Sequence, residues 1–273
     1  TGRDTGVDGG WRQLSVAHMT TAISTLALAL LVCGPAVAQQ APTMDPPSRP
    51  AKDRGFVSLN GGIQAAAGTF SDTFTYQVNA EEATTVVRYG SKAAPFVDIA
   101  AGMHLWKKTV GLAVAVSRAS VSAGADTDSQ IPHPFFDNRD RQVSGPTGDL
   151  ARTETAAHVQ LYYLKRYGKW RTMLTAGPTY FNVEQDVVTS VAVVESFPFD
   201  TATFRSATTR RGKGSAAGFN VGADVGWMFS RSLGAGVLVR YSRGTVEFNV
   251  GDGHTVSTDA GGVQAGAGIR LTF

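Results

Sequence analysis

The chain has 273 residues, a formal net charge of +3, 42% hydrophobic and 17% charged residues, and a mean hydropathy of −0.06. So small a charge, with no basic stripe or RNA-binding aromatic motif, argues against a nucleic-acid partner. From residue 40 onward no run approaches the roughly 20 apolar residues of a spanning helix, so any contact with hydrocarbon along the chain must be made by strands.

Residues 20–40, TTAISTLALALLVCGPAVAQQ, read as a secretory signal. Leu26 to Cys33 is the apolar stretch, Gly34-Pro35 breaks its helix, and Ala36-Val37-Ala38 is a small-residue cleavage site. A signal peptide is therefore expected over 1–38, with 1–18 an upstream extension if Met19 is the start; a buried helix or a lipid anchor at Cys33 are the alternatives. Cleavage would leave a chain without cysteine, so disulfides would not supply its stability. Residues 39–54, QQAPTMDPPSRPAKDR, carry four prolines and no apolar period, and read as a periplasmic linker.

Beyond the linker the dominant period is two. In PFVDIAAGMHLWKKTVGLAVAVSRAS a two-residue turn at Lys107-Lys108 pairs Leu105 with Val110, Met103 with Leu112, Ala101 with Val114 and Ile99 with Val116. Those pairs put bulky apolar side chains on one face and small or polar ones on the other. GFNVGADVGWMFSRSLGAGVLVRYSRG repeats the pattern, pairing Trp227 with Ala235, Val225 with Val237 and Val221 with Tyr241. A third hairpin spans 155–181, less cleanly because Pro178 lies in its second strand. With RGFVSLNGGIQAAA at the start and GGVQAGAGIRLTF at the end, eight strands are expected, near 55–67, 94–106, 109–121, 152–165, 169–183, 215–229, 233–247 and 259–273. Short turns alternate with longer loops at 68–93, 122–151, 184–214 and 248–258. The expected fold is an all-β, eight-stranded antiparallel up-and-down transmembrane β-barrel over 55–273, with short periplasmic turns and long extracellular loops. Trp106, Tyr167, Trp170, Trp227, Phe229 and Phe273 gather at the short-turn ends as an aromatic girdle, and Tyr180, Phe219 and Tyr241 can serve the other rim. Segments 71–90 and 184–209 keep alternating; they extend hairpins above the membrane or, alternatively, add strands.

These features resemble the small outer-membrane β-barrel proteins of Gram-negative bacteria, the OmpA-like and porin-family eight-stranded barrels. The resemblance rests on the signal segment, the 218–244 hairpin and the terminal GIRLTF. It implies a monomer in the cell outer membrane, exported through the periplasm, with lipid and lipopolysaccharide as surroundings. It also implies that Ile269, Leu271 and Phe273 form the signal read by the barrel-assembly machinery. Members that grip peptidoglycan carry a soluble domain after the barrel; none is expected here.

Residues placed on the small, inward face include Asp98, His104, Glu154, His158, Asp224, Arg240 and Arg270, with Gln160, Tyr162, Asn220 and Gln264. An interior this narrow fills with side chains, and its charges must pair. Asp224 and Arg240 are the expected diagonal neighbours. The expected result is an ion-pair network that plugs the lumen, with a narrow low-conductance pore as the alternative. Arg210, Arg211 and Lys213 fall at the outer rim, where they could contact lipopolysaccharide phosphates. No enzyme is expected. The histidines read His104-Leu-Trp, His133-Pro-Phe, His158-Val-Gln and His254-Thr-Val, not the His-x-Ser of lipid A deacylases, and no metal spacing or nucleophile elbow appears. No cofactor is expected. Function is left to the loops, among them IPHPFFDNRDRQ at 131–142, a ligand-binding tip or a self-packed turn.

Overall fold

The computed structural model describes residues 54–65, 69–251 and 254–273, with backbone alone at 249–251 and 254. The expected signal segment 1–38 and all of the linker except Arg54 lie outside the described residues. The chain divides into two units, 1–49 and 50–273, and the fold below is that of the second.

Ten strands follow in order: β1 Gly55–Gln64, β2 Phe70–Val78, β3 Glu81–Tyr89, β4 Ala94–Trp106, β5 Val110–Pro132, β6 Asp140–Tyr167, β7 Trp170–Glu195, β8 Ala202–Met228, β9 Leu233–Gly251 and β10 His254–Thr272. They form one antiparallel sheet of order β2-β3-β5-β4-β1-β10-β9-β8-β7-β6, and β5 also pairs with β6. This overturns the expected eight-stranded, OmpA-like barrel. The two additional strands, β2 and β3, arise from the segment read as the first outer loop. Each has nine residues, and they turn at Asn79-Ala80, both in the left-handed region. β5 is the physical reason they join the sheet. It runs 23 residues, far past the end of β4, and its bare upper edge takes β3 through the register Thr84↔Gln130 to Tyr89↔Ala125.

The other expected loops are also largely strand. The β5–β6 ladder continues to Pro132↔Asp140 and the β7–β8 ladder to Glu195↔Ala202. The connections at this end shrink to 133–139 and 196–201. At the opposite end the hairpins pair as the sequence implies, from Met103↔Leu112 to Asp98↔Ser117 and from Trp227↔Ala235 to Val221↔Tyr241. The first differs next to its turn, where Trp106, not Leu105, opposes Val110 across an irregularity. Pro178, which has no N–H to donate, sits where the β6–β7 ladder is interrupted between His158↔Thr179 and Leu161↔Ala176, and Asn220 Nδ2 donates to the Gly177 and Pro178 carbonyls there at 3.0 and 3.2 Å. Gly177 beside it is required by close approach, since a Cβ there would meet the Val159 carbonyl oxygen at 2.0 Å.

β1 pairs with β10 on one edge and β4 on the other. β4 through β10 likewise each have a neighbour on both edges. Over this shared span, burial alternates with a period of two. Val97, Met103, Val114, Leu161, Leu174, Val225, Val237 and Ile269 are exposed on one face, while polar and charged residues are buried on the other. Farther along the long strands the inner face becomes apolar. There Phe74, Val87, Tyr89, Phe181, Val187 and Phe248 belong to one buried cluster, to which the β2–β3 hairpin contributes three.

The Lys107-Lys108 turn holds both lysines in the left-handed region, at φ 47° and 57°, and closes with Thr109 N–H donating to the Trp106 carbonyl at 2.9 Å. Such a turn favours Asn-Gly, because a side chain with a Cβ is strained there. We expect Lys107→Asn with Lys108→Gly to stabilise the protein by about 1 kcal/mol. The check is denaturant unfolding of refolded protein; a loss of stability would show that the lysine side chains matter more than the backbone strain.

Candidate functional site

The buried face of the shared span holds a connected polar network. Arg240 on β9 donates from Nη2 to Asp98 Oδ2 on β4 at 2.8 Å, and from Nε to Gln264 Oε1 at 2.8 Å. Asn60 Nδ2 donates to the other Asp98 oxygen at 2.9 Å. Gln264 Nε2 donates to Gln64 Oε1 at 2.6 Å, and Gln64 Nε2 to Glu154 Oε1 at 3.1 Å. Toward the short-turn end, Arg270 on β10 pairs with Asp224 on β8 through both carboxylate oxygens. The expected Asp224–Arg240 neighbours are therefore each paired elsewhere. The register makes them diagonal along the sheet, but the inward curl brings Asp98 across to Arg240.

His158 is buried between Ser117 Oγ at 3.2 Å and Thr179 Oγ1 at 2.8 Å. Asn220 donates to that same threonine at 2.8 Å and accepts from Gln160 Nε2 at 2.6 Å. His104 is half-buried, with Nδ1 2.8 Å from the Tyr162 hydroxyl. Every predicted inward residue thus lies on the inner face. Sequence reasoning missed Arg171, which is 1% exposed. Its guanidinium lies 4.4 Å over the Phe56 ring and touches Met173 Sδ at 3.7 Å, while Nε and Nη1 meet no acceptor among the described residues. Its place in the strand, two before buried Met173, is the signal that would have found it. Arg152 was missed as well; it is held by Gln185 at 2.9 Å and the Asp259 carbonyl at 2.6 Å.

Outward, Trp106, Tyr167, Trp170, Trp227, Phe229 and Phe273 are all exposed at the short-turn end. Trp170 and Trp227 pack edge to face at 4.7 Å. Phe219 and Tyr241 do the same at 6.1 Å at the other limit of the apolar span, where Tyr180 is also exposed. Ile269, Leu271 and Phe273 point outward from β10, and Gly55 N donates to the Phe273 carbonyl at 3.0 Å.

Just beyond the aromatic rim the outward residues become charged. Lys213 donates to Glu184 at 2.7 Å and Arg211 to Asp186 at 3.1 Å. The hydrogen bond from Lys213 holds the Glu184 carboxyl below its ordinary range, so that carboxylate stays charged beside the lysine. Arg210 alternates to the other face of β8. The three cations expected to act together on phosphate are thus not brought together. At the far end, Phe135, Phe136 and Phe197 are exposed, the last by 86%. Phe135 and Phe197 both pack against Phe199, at 5.4 and 6.2 Å. Arg139–Asp200 at 3.0 Å and Arg141–Glu195 at 2.5 Å tie the two tips together. Among the described residues, no group of three or more His, Cys, Asp or Glu could hold a metal.

No protein-family model matches the chain, and no curated protein does. Among solved structures it is similar to Neisserial surface protein A, at 12% identity over 80% of this chain and 97% of that one, with a TM-score of 0.41. It is similar to the outer membrane protein OprG from Pseudomonas aeruginosa at 10% identity over 81% and 97%, with a TM-score of 0.44. The outer membrane protease OmpT from Escherichia coli aligns at 9% identity over 81% and 97%, with a TM-score of 0.45. Likeness this distant assigns neither a family nor an activity.

The ion pairs make a test. Asp224→Asn leaves Arg270 buried without a counter-charge and should cost about 3–5 kcal/mol of stability. Replacing both partners, as Asp224→Leu with Arg270→Met, should recover most of that loss, because the desolvation cost of the two charges disappears together. Denaturant unfolding of the single and double variants checks it. A single variant as stable as the parent would show that the pair is not charged as drawn.

Proposed function

We propose that the protein resides in a bacterial outer membrane, spans it with its strands, and acts without catalysis, as a structural element whose projecting end meets other molecules. The observation that carries this reading is the outward apolar span. It is bounded by aromatics at both limits and backed by a buried polar face. From Phe219 to Phe229 is about 33 Å along the strand at 3.3 Å per residue, or about 25 Å at a tilt of about 40°, which matches an outer-membrane apolar band. In hydrocarbon every backbone N–H and C=O needs a partner, and the strands of this span have neighbours on both edges. The upper edge of β5, by contrast, is taken by β3 beyond the rim, where water can solvate what remains unpaired.

The connected network supports a filled interior over a conducting one. The exposed phenylalanines tied together at the projecting end support a surface-contact role there. The barrel-assembly machinery as biogenesis partner, and Ile269, Leu271 and Phe273 as its signal, belong to the same reading.

Val114→Arg and Val225→Arg should each destabilise by roughly 2–4 kcal/mol in a bilayer. Ser120→Arg, on the same face of β5 but beyond the apolar span, should change little. Unfolding from lipid vesicles measures this, and equal effects at Val114 and Ser120 would defeat the membrane boundary. Planar-bilayer recording addresses the interior: steady ion-sized openings altered by Asp98→Asn or Arg240→Gln would sink the filled-interior reading.

A further inference from the structure

The wall has a gap. β5 pairs with β4 as far as Phe96↔Ala119 and with β3 from Tyr89↔Ala125 onward. Between these points residues 90–93 leave the sheet, holding β5 by a single backbone bond from Gly90 N to Gly124 O at 3.0 Å. A Cβ at Gly90 would lie 2.8 Å from that same oxygen, so the close approach needs glycine. Behind the gap is a cavity, opening beside Gly90, Ser91 and Lys92.

Its walls and floor differ in kind. The walls are Phe70, Tyr89, Ala94, Val121 and Leu150. Phe70 and Tyr89 stack at 4.3 Å with 5° between their planes. The Tyr89 hydroxyl is already engaged, accepting from Val188 N at 3.0 Å, so the cavity meets an aromatic surface. The floor is Glu154 and Arg152, 3.5 Å apart. Glu154 Oε1 accepts from Gln64 Nε2 and, at 2.9 Å, from Gly261 N. Its Oε2 faces Arg152 beyond ordinary hydrogen-bond length and keeps accepting capacity. Arg152 spends its donors on Gln185, Thr258 and the Asp259 carbonyl. The Asp259 carboxylate turns away to Arg243 at 2.9 Å.

The charges on the floor therefore cancel. A charged guest would leave water for a floor that carries no net charge, with Lys92 only at the exposed mouth, which is costly. An uncharged guest with one donor can donate a hydrogen bond to Glu154 Oε2 and lay its body along the rings. We propose that this cavity binds a small uncharged amphiphile, with its hydroxyl or N–H on Glu154 and its apolar body against Phe70, Tyr89 and Leu150.

The test uses the full chain in phosphatidylcholine nanodiscs and three probes of one shape: 4-fluorophenol, 4-fluorobenzoate and 4-fluorobenzylammonium, followed by fluorine NMR. The phenol should show one saturable site above lipid partitioning, with both charged probes weaker by about tenfold or more. Val121→Trp should fill the cavity and abolish saturation while partitioning persists. Glu154→Gln leaves Arg152 without its counter-charge and should turn the preference toward the benzoate. Non-saturable phenol binding, saturation that survives Val121→Trp, or equal binding of a charged probe would each overturn the proposal. The parent's probe series and the Val121 variant decide the matter even if Glu154→Gln fails to fold.

Discussion

Charge compensation on the buried face is the constraint on which the rest of this structure depends. Arg240 and Arg270 are each about 1% exposed, and neither finds its carboxylate on an adjacent strand. Arg240 reaches Asp98 past β10 and β1, and Arg270 reaches Asp224 past β9. A flat sheet would hold these partners far apart, since neighbouring strands are already about 4.8 Å from each other. The Arg240–Asp98 pair, three strand spacings across, therefore depends on the curl of the sheet, and once made it opposes uncurling. The small residues between the partners have the same function. Gly236 leaves room for the Arg270 side chain, which a Cβ would approach to 3.2 Å.

The interior changes character along its length. Beside the outward apolar span it is polar, so each strand there carries opposite chemistries on its two faces. Beyond the rim the outward side chains turn polar, as at Arg118, Ser120 and Asp126 on β5. The inner ones there become Phe181, Val187 and Phe248, as in an ordinary water-soluble domain. One strand thus passes between two environments without a break, and its inner and outer chemistries exchange near the same level. The β2–β3 hairpin belongs wholly to the second regime, where Phe74 and Val87 help to cover the apolar interior.

What the sequence made legible was local. Period-two alternation assigned faces correctly wherever bulky residues opposed glycine and alanine, as in Met103↔Leu112 beside Gly102↔Ala113. Short turns then set the register. Partners chosen by curvature were not legible: Asp98 and Arg240 are 142 residues apart, and nothing between them in the sequence specifies how far the sheet bends. The alternation of 71–90 was visible too, but an alternating segment does not say which edge will receive it. Residues 122–151 read as a loop, because the clean alternation of bulky and small residues stops near residue 121. In the structure all but 133–139 of them are paired strand, stabilised by the apolar interior that they help to enclose. Arg171 was hidden for a related reason, since it is the second residue of β7, close to a two-residue turn, where an arginine ordinarily reads as solvated.

The ladder between β1 and β10 has a consequence for how the chain assembles. Neighbouring hairpins join residues close in sequence, whereas Gln64 meets Gln264 across 200 residues. Loop-closure entropy grows with the logarithm of that separation, so joining the first strand to the last costs about 1.5 kcal/mol more than closing a loop one-fifth as long. That cost falls before the cross-strand ion pairs can repay it. Pairing within each hairpin closes only a short loop, so the seam between Gly55 and Phe273 is where the chain meets its largest closure cost.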